Sequence, residues 1–334
     1  MKMVLLQRLT WAATILTLVV IVLGAYVRLS HAGLGCPDWP GCYGHLDVPK
    51  TTEEIATAAL HYPDRPVVAA KAWKEMIHRY CASTLGLLIV MINIVAWRQR
   101  RAGVSQTLPL LLLGLVIFQG LLGMWTVTLL VKPVIVTAHL FGGLATLSLL
   151  WWLCLRYTVG VAGQIVQPQW RRALWLVLFI LLAQIFLGGW TSTNYAALAC
   201  YGFPQCNQQW WPDMHFNDAF ILWRGLGIDY EGGVLEGPAR VAIHLSHRIG
   251  AVITFLAISA MAITLLRHAQ GRKIITITGV AMLAMLFLQI TLGISNVLFG
   301  LPLSVATAHN GVAALLLLTI ITALYFIRSP ATTR

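Results

Sequence analysis

Charge is what this sequence has least of. Only 10% of its 334 residues are Asp, Glu, Lys or Arg, and just eleven are acids. A water-facing globular surface uses about 25% charged residues, so the soluble class is excluded. Three further absences narrow the field. No CxxCH motif is present, so covalent c-type haem attachment is not indicated. No small-residue cleavage site follows the first apolar run, which therefore reads as a retained helix, not a signal peptide, although Lys2 and Arg8 precede it. The basic residues form no contiguous face interleaved with aromatics; they sit in short loops, so the net charge of +12 is no sign of nucleic-acid binding.

What is abundant is apolar sequence: 58% of residues are hydrophobic and the mean hydropathy is +0.78. A bilayer core about 30 Å thick needs roughly 20 apolar residues per helix. Eight stretches qualify, at about 10–29, 76–97, 107–129, 134–155, 173–193, 240–266, 274–298 and 303–327. The predicted fold class is an all-α integral membrane protein of eight transmembrane helices, with both termini on one side. Lys2, Arg8, Arg98, Arg100, Arg101, Arg156, Arg171, Arg172, Arg267, Arg272, Lys273, Arg328 and Arg334 fall on that side, which makes it cytoplasmic. The acids, Asp38 through Glu75 and Asp213 through Glu236, lie on or at the boundary of the other side.

The chain repeats itself. Leu23-Gly24 through Cys36 and Cys42 align with Leu187-Gly188 through Cys200 and Cys206 at a shift of 164. Further on the shift is 169 to 170, matching His78-Arg79 with His247-Arg248, Gln119 with Gln289, and Thr137-Ala138-His139 with Thr307-Ala308-His309. Each unit holds an even number of spans, so the two are parallel four-helix bundles, 1–160 and 161–334. The joint is a short loop at about 156–172. Two long outer loops, about 30–75 and 194–239, each carry a cysteine pair and a cluster of Pro, Gly and Trp.

Of ten histidines, His78, His139, His247 and His309 sit near the outer ends of even-numbered helices, as two repeat-related pairs. Ionisable groups inside spans face the bundle interior and have a function. Helices two and four of one bundle can each present an imidazole to a shared cavity. Two neutral nitrogen donors on opposite faces of a macrocycle suit haem iron. The alternatives are interhelical hydrogen bonding, which repetition in both halves weakens, and zinc, which usually wants a third or fourth protein ligand. Arg79 and Arg248, next in sequence, can pair with haem propionates or act as snorkelling interfacial anchors.

One difference between the halves stands out. Glu75 lies three residues before His78, on the same helical face, and its counterpart is His244. A carboxylate near a reacting carbon can stabilise positive charge or move protons, which makes the first half the candidate for chemistry. The plainer reading is a solvated acid at a helix start.

Cys36 with Cys42 and Cys200 with Cys206 share the Cys-x5-Cys spacing. On the oxidising outer side of a bacterial membrane, two loop disulfides are the simplest expectation. A redox-active role is the second reading for Cys36 and Cys42. Cys81 and Cys154, alone within helices, read as packing residues. His31, His45, His61 and His215 read as surface or loop-packing residues, with His268 on the cytoplasmic side.

VRLSHAGLGCPDWPGC after the first span, EMIHR opening the second, TAHLFGG in the fourth, HRIG in the sixth and TAHNG in the eighth together resemble the bacterial haem A synthase family over essentially the whole chain. The resemblance implies oxidation of the C8 methyl of haem O to the formyl of haem A, by two hydroxylations and loss of water. It implies that His78 and His139 flank the substrate haem, that His247 and His309 ligate a cofactor haem b, and that Glu75 is catalytic. Location in the bacterial inner membrane, homo-oligomers and partnership with haem O synthase and oxidase assembly factors belong to the same expectation. The competing reading is a quinol-linked di-haem b electron carrier that leaves its haems unmodified. It is disfavoured because both predicted sites lie near one membrane face.

Overall fold

The computed structural model describes residues 2–159, 164–165 and 168–328. Among them ten α-helices follow in order: α1 (Lys2–Leu29), α2 (Thr52–His61), α3 (Ala69–Arg98), α4 (Thr107–Thr128), α5 (Pro133–Thr158), α6 (Pro168–Thr193), α7 (Phe216–Ala219), α8 (Gly237–Arg267), α9 (Lys273–Leu298) and α10 (Leu303–Phe326). Eight of them are long and apolar enough to cross a membrane, in agreement with the eight predicted spans. Most run past the expected ends: α3 begins at Ala69 instead of near 76, which places Glu75 inside a helix. Part of the predicted 156–172 joint lies outside the described residues; Gln164–Ile165 forms a two-residue parallel ladder with Ile327–Arg328.

Large apolar side chains point outward all around the molecule, among them Leu87, Ile117, Phe118, Phe179, Leu256 and Phe287. Helices apolar on every side belong in lipid or deep within protein. The interior is divided. One cluster joins Leu6, Leu85, Ile89, Leu112 and Leu150 within the first four spans. A larger one joins α6, α8, α9 and α10, and reaches into the first half through Leu144 and Leu147 of α5.

In the first half α1 and α4 each pack against both α3 and α5. The histidine-bearing helices are thus diagonal across a bundle. α6 and α9 flank α8 and α10 in the same way, while α1, α5, α6 and α10 supply the main helix–helix contacts between halves. Near the long-loop end, the Arg28 guanidinium donates to the Ser192 carbonyl at 2.6 Å, and the rings of His31 and Tyr195 stack 5.5 Å apart. Ser192 and Tyr195 are the repeat counterparts of Arg28 and His31, so a pseudo-twofold axis passes between them.

The long loops contain structure that hydropathy does not reveal. α2 opens on a capping box, in which Thr51 Oγ1 accepts from Glu54 N and the Glu54 carboxylate accepts from Thr51 N. Cys36–Cys42 and Cys200–Cys206 are both disulfides, as expected. Their rings are built alike, with cis Trp39–Pro40 and Phe203–Pro204 and the matching bridges Cys42 to His45 and Cys206 to Gln209.

The second loop also crosses onto the first half. Arg65 pairs with Asp229 at 2.5 Å and Glu231 at 3.0 Å, and Lys71 reaches Glu231 at 3.4 Å. Lys132 donates to the Gly225 carbonyl and lies 3.5 Å over the Trp223 ring. Tyr230 packs among Leu34, Val127 and Val131.

Candidate functional site

The four repeat-related histidines stand in the early turns of α3, α5, α8 and α10, all at the end that carries the long loops. His78 and His139 stand on the diagonal helices of the first bundle, and His247 and His309 on those of the second. Each half thus carries two of the four histidines on helices that face each other across its bundle. Among the described residues no group of three or more His, Cys, Asp or Glu side chains could hold a metal ion. The donor sets are dyads, as bis-imidazole ligation of a porphyrin iron requires and as a structural zinc site does not.

Each imidazole lies against a glycine of a neighbouring helix. A Cβ built on Gly24 would come within 3.0 Å of His78 Cε1, and one on Gly188 within 3.1 Å of His247 Cε1. Gly123 and Gly293 stand likewise to His139 and His309, at 3.6 and 3.1 Å. Any other residue at the closest of these positions would push the ring aside. The rings keep unused donors: His78 Nδ1, His139 Nδ1 and His309 Nδ1 are buried without a hydrogen-bond partner, as are Thr137 Oγ1 and Thr307 Oγ1 two residues before a histidine. Buried polar atoms are rarely left unpaired, so orphans in repeat-related places mark space built for a ligand. The arrangement fits haem.

Glu75 is 5% exposed, which rules out the solvated-acid reading. Its Oε2 accepts from Cys36 N at 2.9 Å and its Oε1 from Arg79 Nη2 at 2.5 Å. Arg79 also donates to the Pro40 and Gly41 carbonyls. The carboxylate is thereby fixed between α3 and the first disulfide ring, one turn from His78.

The second half reproduces this arrangement around a different side chain. His244, 4% exposed, receives Cys200 N at 3.1 Å on Nδ1 and has Arg248 Nε 3.3 Å from Nε2. A neutral imidazole can accept at only one of those nitrogens. Arg248 donates further to the carbonyls of Cys200, Gly202 and Gln205. Arg79 and Arg248 thus pin the disulfide rings to the helices, a role that sequence reading did not assign them.

Of the remaining histidines, His31 stacks on Tyr195, His268 packs edge-on against Trp170, and His45 closes the first ring through backbone bonds to Cys42. His61 ends α2 and His215 precedes α7. None belongs to the paired sites. Sequence reading matched Gln119 with Gln289 as part of the repeat but missed that glutamines stand beside the histidines. Gln184 Nε2 lies 3.0 Å from His247 Nδ1 and also 3.0 Å from the His247 carbonyl, and Gln289 Nε2 lies 3.1 Å from His309 Nε2. The signal was present as Gln-x3-Gly at Gln119, Gln184 and Gln289.

The family described as cytochrome oxidase assembly protein (COX15-CtaA) matches residues 7–321. The haem A synthase of Shewanella oneidensis is 46% identical, with 98% of this chain and 100% of that protein covered. That of Halalkalibacterium halodurans is 28% identical over 90% of each chain, and that of Caulobacter vibrioides 27% identical over 89% of this chain and 88% of its own.

Proposed function

The chain belongs to the cytochrome oxidase assembly family, and from that membership we propose that it is a haem A synthase, a membrane oxidoreductase that converts haem O to haem A. The first half, 1–160, is the substrate unit, with His78 and His139 on either side of haem O. The second, 161–334, is the cofactor unit, with His247 and His309 holding haem b. The protein sits in the bacterial inner membrane with its long loops on the periplasmic side, where the disulfides form. It works beside haem O synthase and the factors that assemble the terminal oxidase.

The observation that carries this assignment of roles is the exchange of Glu75 for His244 within otherwise matching contacts. Only the first half has a carboxylate one turn from its histidine. Converting a methyl to a formyl group by two hydroxylations and loss of water leaves protons to be removed and positive charge to be stabilised at the reacting carbon. Glu75 is suited to both tasks, because the Cys36 amide and Arg79 fix its orientation before substrate arrives. The haem b supplies one-electron transfer when bound. Arg79 and Arg248 have donors left for propionates once their loop carbonyls are served.

The electron-carrier alternative asks for a relay across the membrane. Both pairs of histidines instead lie toward the long-loop end, and that reading leaves Glu75 without a use. Expression in a host that makes haem O, followed by chromatography and mass analysis of extracted haems, tests the function. Haem A or a hydroxylated intermediate is the expected product; a folded, haem-bearing protein that yields neither would sink the proposal.

A further inference from the structure

The four histidine environments share a pattern with one exception. A glutamine stands four residues before the glycine that touches the ring: Gln119 before Gly123, Gln184 before Gly188, and Gln289 before Gly293. At the corresponding place before Gly24 the chain has Val20. Two of the glutamines occupy a second notch, on the histidine's own helix three residues further on. A Cβ on Gly250 would come within 2.3 Å of Gln184 Oε1, and one on Gly142 within 1.6 Å of Gln119 Nε2. The first-half counterpart of Gly250 is Cys81, so the valine and the loss of the notch occur together beside His78.

Gln184 shows what the pattern does. Its carboxamide nitrogen lies 3.0 Å from His247 Nδ1, which leaves Nε2, across the ring, as the nitrogen to ligate iron. An imidazole that ligates through Nε2 carries its proton on Nδ1. A half-turn of the carboxamide brings Oε1, which has no partner, onto that N–H. The contact to the His247 carbonyl is given up, but that carbonyl already accepts within the helix. Such an outer partner fixes tautomer and ring orientation and makes the ligand more basic. His78 has no side chain in this position. Val20 has no polar side-chain group to offer, and His78 Nδ1 is buried without a side-chain partner.

Resting on the assignment of a cofactor haem to the second half and a substrate haem to the first, we propose that Gln184 is a positioning residue that locks His247 onto a permanent haem, and that Val20 in its place leaves His78 free to release product. The asymmetry between a retained cofactor and an exchanging substrate is then written in the second nitrogen of His247 and of His78.

The test uses the full-length protein in detergent, loaded with haem, with release followed by transfer to excess apomyoglobin and the reduction potential measured by redox titration. Gln184→Val is expected to speed loss of the second-half haem by about tenfold or more, the usual penalty for removing an outer partner, and to raise its potential. Gln184→Glu, a stronger acceptor, is expected to lower the potential. Opposite shifts from the two variants mark a hydrogen bond to the ligand, which a mere packing role would not give. Should Gln184→Val fail to fold, Val20→Gln with Cys81→Gly decides from the other side, through slower release of the first-half haem. Unchanged release and potential in every folded variant overturn the proposal. His247→Ala separates the two levels: if it keeps the second haem with an unaltered spectrum, the underlying site assignment is what fails.

Discussion

Around Glu75 and around His244 the chain builds the same frame from different contents. In each half a backbone amide of the disulfide ring points at the side chain from one side and an arginine one turn along the helix from the other. In each half the neighbouring histidine rests against a glycine of the preceding long helix. The frame decides where a group sits, and the group decides what can be done there. A carboxylate can take a proton or face a developing cation; a neutral imidazole wedged between two donors can do little beyond filling its place. Duplication thus explains the matching frames, and a single exchange within the frame is the basis of the different uses proposed for the two halves.

The sharpest way to break this comparison is to erase the exchange. Glu75→His, which copies the second half, and Glu75→Ala are both expected to retain bound haem and to lower turnover to haem A by about 100-fold or more, the range for loss of a positioned acid or base. Haem content by spectrum and haem A by chromatography check this. Normal turnover in either variant would mean that Glu75 is part of the frame and not of the chemistry. Next in size is the glycine contact. Gly24→Ala and Gly188→Ala each place a methyl about as close as carbon atoms can approach a ring, at 3.0 and 3.1 Å. Each is expected to displace its own histidine and alter the spectrum of the haem in its own half alone. A change that spread equally to both haems would show that the two pockets are not separate units.

Removal of one disulfide tests the frame itself. Closing so short a ring is worth about 2 kcal/mol by chain entropy. Cys200→Ser with Cys206→Ser should therefore lower thermal stability in detergent by that order, leaving Glu75 untouched. The same pair of changes at Cys36 and Cys42 carries an equal cost in stability and also frees the amide that Glu75 accepts from. Activity normalised to folded protein should fall only for the first pair of cysteines.

Spans, repeat and histidine pairs were legible in the sequence because each rests on a local or periodic signal: twenty apolar residues, a constant shift, a polar residue where lipid forbids one. The burial of Glu75 was half legible. Its face relative to His78 follows from helical spacing, but the earlier start of α3 at Ala69 depends on how the first loop folds back, through Gly35 and Cys36, onto that helix. α2 carried its own announcement in Thr51 and Glu54, which hydropathy passes over. The crossing of the second loop was not legible, because pairs such as Arg65 with Glu231 are separated by 166 residues and nothing local marks them as partners.

That crossing adds to the helix contacts the two halves already share, and it offers the gentlest test of the comparison. Arg65 holds Asp229 and Glu231 together and is 26% exposed, so solvent screens it in part. Partly exposed ion pairs of this kind are worth up to about 1 kcal/mol. Arg65→Ala should lower thermal stability only slightly, and less so at high salt, where the pair is already weakened. The effect on the sites should be unequal. Ile228 and Tyr230, carried by the same segment, pack on the ends of α4 and α5 in the first half. Loosening the segment should therefore quicken exchange of the first-half haem with added haem and leave the second-half haem as tightly held as before. Equal exchange at both sites would show the crossing to be a strap for the whole bundle; faster exchange at the first alone would make it a cover that one half lends to the other.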